Sequence, residues 1–383
     1  MDVGGWGRCS LRVIPALITL GFSAHAVSAQ DGNNGYAFHD SHFHFTNYVQ
    51  EGPALEDLLA LMGKRVGRST LFGIPLQQMW SYPNSGDYAP TYYLQSDAPL
   101  YYYSFTDAFI AATYLSLPKE IQARLDPMIT GFNPADMHGV DHIRRVLQVF
   151  PGVFSGIGEF SIHKEFVSSK VAGEVASLTN PALDSILRFA GEAGLLVILH
   201  NDIDMPFARA GSEPVYLEQM KDLLRRHPET TIIWAHIGLG RIVRPVLSSA
   251  AAPATERNPN HGVIVEGILS DPKLRHVYFD ISWDEVAKYI VADTAVLRRS
   301  ADMINRYPDR FLFGSDVVAP RDSAHYYAVF DGYTPLWERL SPTARYQVQK
   351  GNYVRLFDQA RQRVRAWERA HVRLPHLRGV GKE

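Results

Sequence analysis

The sequence predicts an α/β fold, a (β/α)8 barrel of the TIM type with an aromatic-rich insertion after its second strand and a helical extension at its C-terminus. Three observations predict it. Unbroken apolar runs of strand length, such as residues 195–200 and 231–236, alternate with amphipathic helical stretches, the pattern of a parallel sheet buried on both faces. From the fourth strand onward the strand ends fall at residues 159, 200, 236, 281 and 316, the pace of repeated βα units. Several of these runs close on a His, Glu or Asp, and in a barrel the C-terminal strand ends share one face. The chain has 383 residues, 46% of them hydrophobic and 20% charged, which is enough to fill one large core.

The first 29 residues read as a secretory signal: Arg8 and Arg12 form the positive region, Val13 to Phe22 the apolar region, and Val27-Ser28-Ala29 a small-residue cleavage site before Gln30. That apolar run is too short to span a bilayer. Residues 30–383 are then one secreted or periplasmic domain with no membrane span of its own. Cleavage leaves 36 basic and 39 acidic side chains, a net charge of −3, and removes Cys9, the only cysteine. A chain without thiols depends on no disulfide and can hold a metal only through His, Asp and Glu. The charge balance excludes an electrostatic grip on nucleic acid and favours a small-molecule partner. Self-association is left open.

The first strand is expected over 36–45 and the second over 69–74, with a short helix at 56–62 between them. Residues 80–103 break the rhythm, being crowded with Tyr and interrupted by Pro83, Pro90 and Pro99. Either this stretch packs on the barrel rim or a second subunit, or it is a lid whose rings, among them Trp80, Tyr82 and Tyr103, contact substrate. The third and fourth strands are expected at 128–132 and 153–159, with a helix at 138–149 between them. In the fourth, Gly156-Ile157-Gly158 marks a close backbone approach. Asn180-Pro181 reads as a helix start and Gly194 as its stop. Strands five to eight follow at 195–200, 231–236, 276–281 and 311–314, with a helix at 214–226. Ser282 and Glu285 have the spacing of a capping box. Residues 341–369 form the closing helix, starting at Ser341-Pro342, with its arginines read as a solvated face.

The stretch Phe38-His39-Asp40-Ser41-His42-Phe43-His44 puts Asp40, His42 and His44 on one face of a strand, so two imidazoles converge. Glu159, His200, His236 and Asp316 each end another strand. Taken singly, each has a plain alternative: Asp316 could cap a helix, Glu159 could pair in a buried ion pair, and either histidine could be a satisfied core residue. Together, six polar groups at corresponding ends of five strands would be costly to bury unpaired, and a divalent cation is their natural common partner. Asp40, one pair deeper, supports the ligands from behind. His39 faces the other way and is structural, as are His138, His142 and His163.

The order His42-x-His44, Ile198-Leu199-His200-Asn201-Asp202, Trp234-Ala235-His236 and Phe313-Gly314-Ser315-Asp316 resembles the amidohydrolase superfamily of metal-dependent barrels. Gly351-Asn352 with Arg355-Leu356-Phe357 is similar to the ending of its amidohydrolase-related branch. The resemblance implies one or two divalent ions, zinc foremost. With one ion, His42, His44 and Asp316 hold it, His200 completes the shell, and His236 polarises a substrate carbonyl or serves as acid and base. With two, Glu159 bridges and His200 and His236 hold the second. Asp316 doubles as general base. Many superfamily members have a carboxylated lysine on strand four; Glu159 there is more like the TatD-type hydrolases.

The implied function is hydrolysis of an amide, ester or lactone carbonyl. A decarboxylase on similar ligands is the alternative, for which Arg321 is the candidate clamp on a substrate carboxylate; a phosphoester hydrolase is another. A non-catalytic binding protein would not require the strand-eight aspartate.

Overall fold

The computed structural model describes residues 35–47, 52–75, 78–80, 105–164, 167–169, 176–205, 213–240 and 261–372. The proposed signal and most of the aromatic insertion, including Tyr82 and Tyr103, lie outside them. No helix among the described residues is long and apolar enough to cross a membrane.

Eight parallel strands form the barrel wall in chain order: β1 (Phe38–Asp40), β3 (Val66–Leu71), β5 (Leu125–Ile129), β6 (Gly156–Ser161), β9 (Leu196–His200), β10 (Ile232–Trp234), β11 (Val277–Asp280) and β12 (Phe311–Leu312). The seam between the eighth and first is sewn just beyond their regular portions. Ser41 donates its backbone N–H (3.1 Å) and its hydroxyl (2.9 Å) to Phe313 O. Further along, β2 (Phe43–His44) pairs in parallel with β13 (Val317–Val318). This seam requires Gly314, because a Cβ there would lie 2.5 Å from His42 Cβ.

Two apolar layers result. Outward-facing wall residues such as Ile157, Val197, Leu199 and Ile232 pack with the surrounding helices. Inward-facing Met128, Leu196, Ile198, Ile233 and Leu312 pack instead on Tyr353, Leu356, Phe357 and Ala360 of the last helix, Asn352–His371, which closes the end of the barrel where the strands begin. Asn352 donates to Pro308 O (2.7 Å) and Phe311 O (2.8 Å), anchoring that helix under strand eight. Its arginines divide: Arg355, Arg363 and Arg369 are exposed, as expected of a solvated face, while Arg361 and Arg365 are partly buried. Arg361 joins Arg68 on the buried Asp126, and Arg363 donates to Gly191 O at 3.0 Å.

The local signals mostly hold. Asn180 Oδ1 accepts from Ala182 N at 2.9 Å, opening helix Pro181–Ala193, and Gly194 ends it at φ 78°. Gly156 is needed where expected, since a Cβ would lie 2.6 Å from the backbone oxygen of Leu196. The capping box does not form. Helix Asp284–Val291 has no side-chain cap, and Ser282 turns into the barrel mouth instead. The first strand is also not continuous, for the chain bends at Ser41 and His42 between β1 and β2.

A small antiparallel sheet joins β4 (Gln78–Trp80), β8 (Val167–Ser169) and β7 (His163–Lys164), in that order. Trp80 pairs with Val167, which pairs with Lys164. The segments that leave strands two and four thus meet in one sheet.

Candidate metal centre

His42, His44, Glu159, His200, His236 and Asp316 converge where the barrel strands end. Glu159 is the hub. Its Oε2 lies 3.1 Å from His44 Nε2 and 3.8 Å from His42 Nε2; its Oε1 lies 2.6 Å from His200 Nδ1 and 3.4 Å from His236 Nε2. Asp316 Oδ1 faces the first pair, 3.2 Å from His44 Nε2 and 3.3 Å from His42 Nε2, while Oδ2 is 3.8 Å from His236 Nε2. Each of two sets, His42 with His44, Glu159 and Asp316, and Glu159 with His200 and His236, offers atoms within 4.8 Å of one another.

The residues fit a cation on one observation above all: His42 Nε2 is buried with no hydrogen-bond partner. An unsatisfied buried nitrogen costs about 1–3 kcal/mol, which a metal bond would remove. His42 Nδ1 meets Asp280 Oδ2 at 2.9 Å and His44 Nδ1 meets Gly73 O at 3.3 Å, so both rings turn their Nε2 atoms inward.

Asp280, at the end of strand seven, was not singled out in the sequence, and Ser282 was read only as a helix cap. Asp280 Oδ1 accepts from the backbone N–H of His236 at 2.8 Å and from the Ser282 hydroxyl, whose oxygen lies 2.8 Å from His236 Nδ1. With its proton on Asp280, Ser282 can only accept from His236 Nδ1–H. In the neutral ring His236 Nε2 then carries a lone pair, which suits it to a ligand or proton acceptor. On the far side, His200 Nε2 meets Asp202 Oδ1 at 3.0 Å and Lys164 Nζ stands 3.6 Å from Glu159 Oε1.

Strain marks the same region. His236 (φ 55°), Trp283 (φ 79°), Asp316 (φ 54°) and Ala319 (φ 41°) occupy left-handed backbone, which costs of order 1–3 kcal/mol each. Asp316 is held there by donating its N–H to His42 O at 2.7 Å. Asp40 acts on backbone rather than on a ligand ring: Oδ1 accepts from Ser315 N (2.8 Å) and His42 N (3.2 Å), and Oδ2 from the Ser315 hydroxyl (2.6 Å).

Burial alone would raise the carboxyls of Glu159 and Asp316, but Lys164 and the histidines around Glu159, and His236, His42 and His44 around Asp316, hold both well below their ordinary range. Conversely, burial works against protons on His42 and His44, and the carboxylates overcome it, raising both. Asp40 is pushed up to about 6 by burial.

Other expected residues lie elsewhere. His39 accepts from Arg68 N at 2.9 Å beside Tyr353, and His142 Nε2 meets Asp107 at 2.9 Å; neither takes part in the centre. Arg321 is exposed and shares a cleft with Asn47, Asp57 and Asp322. Trp80 is placed by its backbone alone.

An amidohydrolase family model matches residues 39–359. No curated protein sequence matches the chain. Among solved structures, a protein of Agrobacterium tumefaciens in its apo form is similar at 13% identity and TM-score 0.50, covering 84% of this chain and 94% of its own. A 2,6-dihydroxybenzoate decarboxylase bound to 2,6-dihydroxybenzoate is similar at 13% identity and TM-score 0.49, over 84% and 99%. A candidate 2-pyrone-4,6-dicarboxylic acid hydrolase from Pseudomonas putida is similar at 14% and 0.47, over 84% and 98%. With the family model running from within the first barrel strand past the eighth and taking in every residue of the centre, the chain belongs to the amidohydrolase family and is an enzyme of that type.

Proposed function

We propose that this enzyme is a metal-dependent hydrolase that attacks the carbonyl of a small amide, ester or lactone. The observation that carries the reading is the Asp316 carboxylate, ionised and set against the inward Nε2 atoms of His42 and His44, with Glu159 opposite and His42 Nε2 lacking a hydrogen-bond partner. His42, His44, Glu159 and Asp316 would hold the ion. A divalent cation, zinc for this donor set, supplies Lewis-acid activation of water when bound.

The chain's own residues do the rest. Asp316 takes the proton of the attacking water at a carboxylate oxygen and returns it to the leaving group. His236, with its Nε2 lone pair facing Asp316 and Glu159, is the second proton acceptor. Burial of these groups keeps water from competing. Arg321, the candidate clamp for the carboxylate of a decarboxylase substrate, is exposed in a cleft it shares with Asn47, Val318 and Asp322. Export by residues 1–29 and a lid formed by residues 80–103 belong to the same proposal.

The test is elemental analysis of gently purified protein, followed by assay of the metal-loaded enzyme on a panel of chromogenic esters, lactones and anilides. His42→Ala and Asp316→Asn should each lower kcat/KM by at least about 100-fold while the far-ultraviolet dichroism stays unchanged. Protein that binds no divalent transition metal, with no gain on adding one, would sink the proposal.

A further inference from the structure

We propose that the open groove between residues 337–342 and the turn ahead of the closing helix binds a small organic carboxylate with a flat apolar body, at a site separate from the metal centre. The groove has a volume of about 360 Å³, within the range of small-molecule sites. It lies at the end of the barrel where the strands begin. Lys350, which lines it, donates from Nζ to Tyr36 O at 3.0 Å, two residues ahead of β1, whereas the metal ligands sit past the other ends of the strands.

The donors come from the turn Gln347–Gly351, which winds as a π-helix between helix Pro342–Tyr346 and the closing helix. Such widened turns are rare and recur at functional sites. Gln349 is 6% exposed and lines the groove, and its Nε2 has no hydrogen-bond partner among the described residues. A buried amide left unsatisfied costs about 1–3 kcal/mol, and the groove is where an acceptor can reach it.

Two cations line the same groove. Lys350 spends one of its three N–H groups on Tyr36, and its ammonium lies 5.8 Å from the centre of the Tyr346 ring. Arg345 is exposed, and its guanidinium makes no ion pair among the described residues. Against these stands one carboxylate, Glu338. An orphan amide donor and two cations favour a negatively charged acceptor. The rest of the ligand is set by Trp337, Leu340 and Pro342, which give the groove apolar surface. Trp337 Nε1 already donates to Phe330 O at 3.0 Å, so this ring has no donor left to offer. Inorganic phosphate would leave that surface wet, while the body of a benzoate-like acid covers it. Hydrolysis of an amide, ester or lactone releases a carboxylate, so the product of the reaction proposed above is of the class that the groove takes; the lining selects that class whatever the reaction.

The test is equilibrium dialysis of radiolabelled benzoate against the full-length, zinc-loaded protein, with wild type, Gln349→Leu, Arg345→Glu and His42→Ala. Wild type should bind benzoate with a Kd of about 1 mM or below, and His42→Ala should keep one bound benzoate, since the groove lies away from the metal. Gln349→Leu and Arg345→Glu should each weaken that binding at least about tenfold, with zinc content and kcat/KM unchanged. Inorganic phosphate should displace benzoate poorly. No binding to wild type at about ten times that concentration overturns the inference, as does binding that vanishes in His42→Ala, which would put the benzoate at the metal centre. Should Gln349→Leu fail to fold, Arg345→Glu decides, because its side chain is exposed; unchanged affinity there overturns the groove as the site. Phosphate that displaces benzoate at equal concentration overturns the ligand class.

Discussion

Asp280 shows how much of the centre is set by a residue that would touch no ion. One fully buried carboxylate fixes His42 directly, fixes His236 through the Ser282 hydroxyl, and caps the strained backbone N–H of His236. Without it both rings could turn over their proton positions, and the inward Nε2 atoms would no longer be held. Asp280→Asn should weaken zinc binding about 10- to 100-fold, measured by competition with a chromophoric chelator, and lower kcat/KM by a similar factor. Ser282→Ala should cost less in affinity, because His42 keeps its own bond to Asp280. Unchanged zinc affinity in a folded Asp280→Asn would show that the His42 and His236 tautomers do not depend on it. Asp40 is expected to act differently. Its bonds go to the backbone of His42 and Ser315, so Asp40→Ala should loosen the seam and lower Tm before it alters the metal count.

At the scale of elements, the ligands were legible because a parallel barrel needs apolar strands, and a His or Asp closing such a strand stands out. Glu159 is instead two residues inside β6. It still reaches the mouth because the pairing with β9 shifts register between Ile157 and Phe160, and such an irregularity re-aims a side chain. Asp280 was hidden because the apolar run continues to Ile281, so the strand seemed to end one residue late and Ser282 read as a cap. No local pattern shows that helix Asp284–Val291 begins after Trp283 at φ 79°, leaving Ser282 free to face the site. Helix His261–Ser270 adds a pH-dependent hold on the turn that carries His236. His261 Nε2 donates to Ile237 O at 2.7 Å, and burial pulls its pKa from 6.5 down to about 4. The unfolded chain takes up this proton near 6.5 while the folded one resists, so the stabilisation is complete above 6.5 and drains as pH falls towards 4. The slope is about 1.4 kcal/mol per pH unit for this group, about 3 kcal/mol across the window. Urea unfolding of metal-free protein at pH 7 and pH 5 should show about 2 kcal/mol of that loss, and His261→Gln should flatten it. Equal slopes in the two proteins would mean the proton binds elsewhere.

For the whole molecule, the two ends of the barrel divide the labour. The end where strands finish spends burial on carboxylates, imidazoles and left-handed backbone, all of which cost stability. The end where strands begin is filled by Tyr353, Leu356, Phe357 and Ala360, with Asp126 joined to Arg68, Arg361 and Tyr353 Oη (2.7 Å) around them. Phe357 is fully buried and stacks on Tyr353 at 4.1 Å between ring centres, so its removal leaves a cavity that rigid strands on all sides can do little to close. Phe357→Ala should therefore cost about 3–5 kcal/mol of unfolding free energy, seen as a lower denaturation midpoint at unchanged m-value. The metal ligands lie at the other end of the strands, and Phe72, of the same apolar layer as the plug, packs on His44 at 4.8 Å between ring centres. At a temperature where the variant remains folded, its zinc stoichiometry and KM should match wild type. A variant that keeps its stability would show that the closing helix only covers the barrel. One that loses its zinc while folded would show that the plug also shapes the mouth, and that the two ends do not act separately.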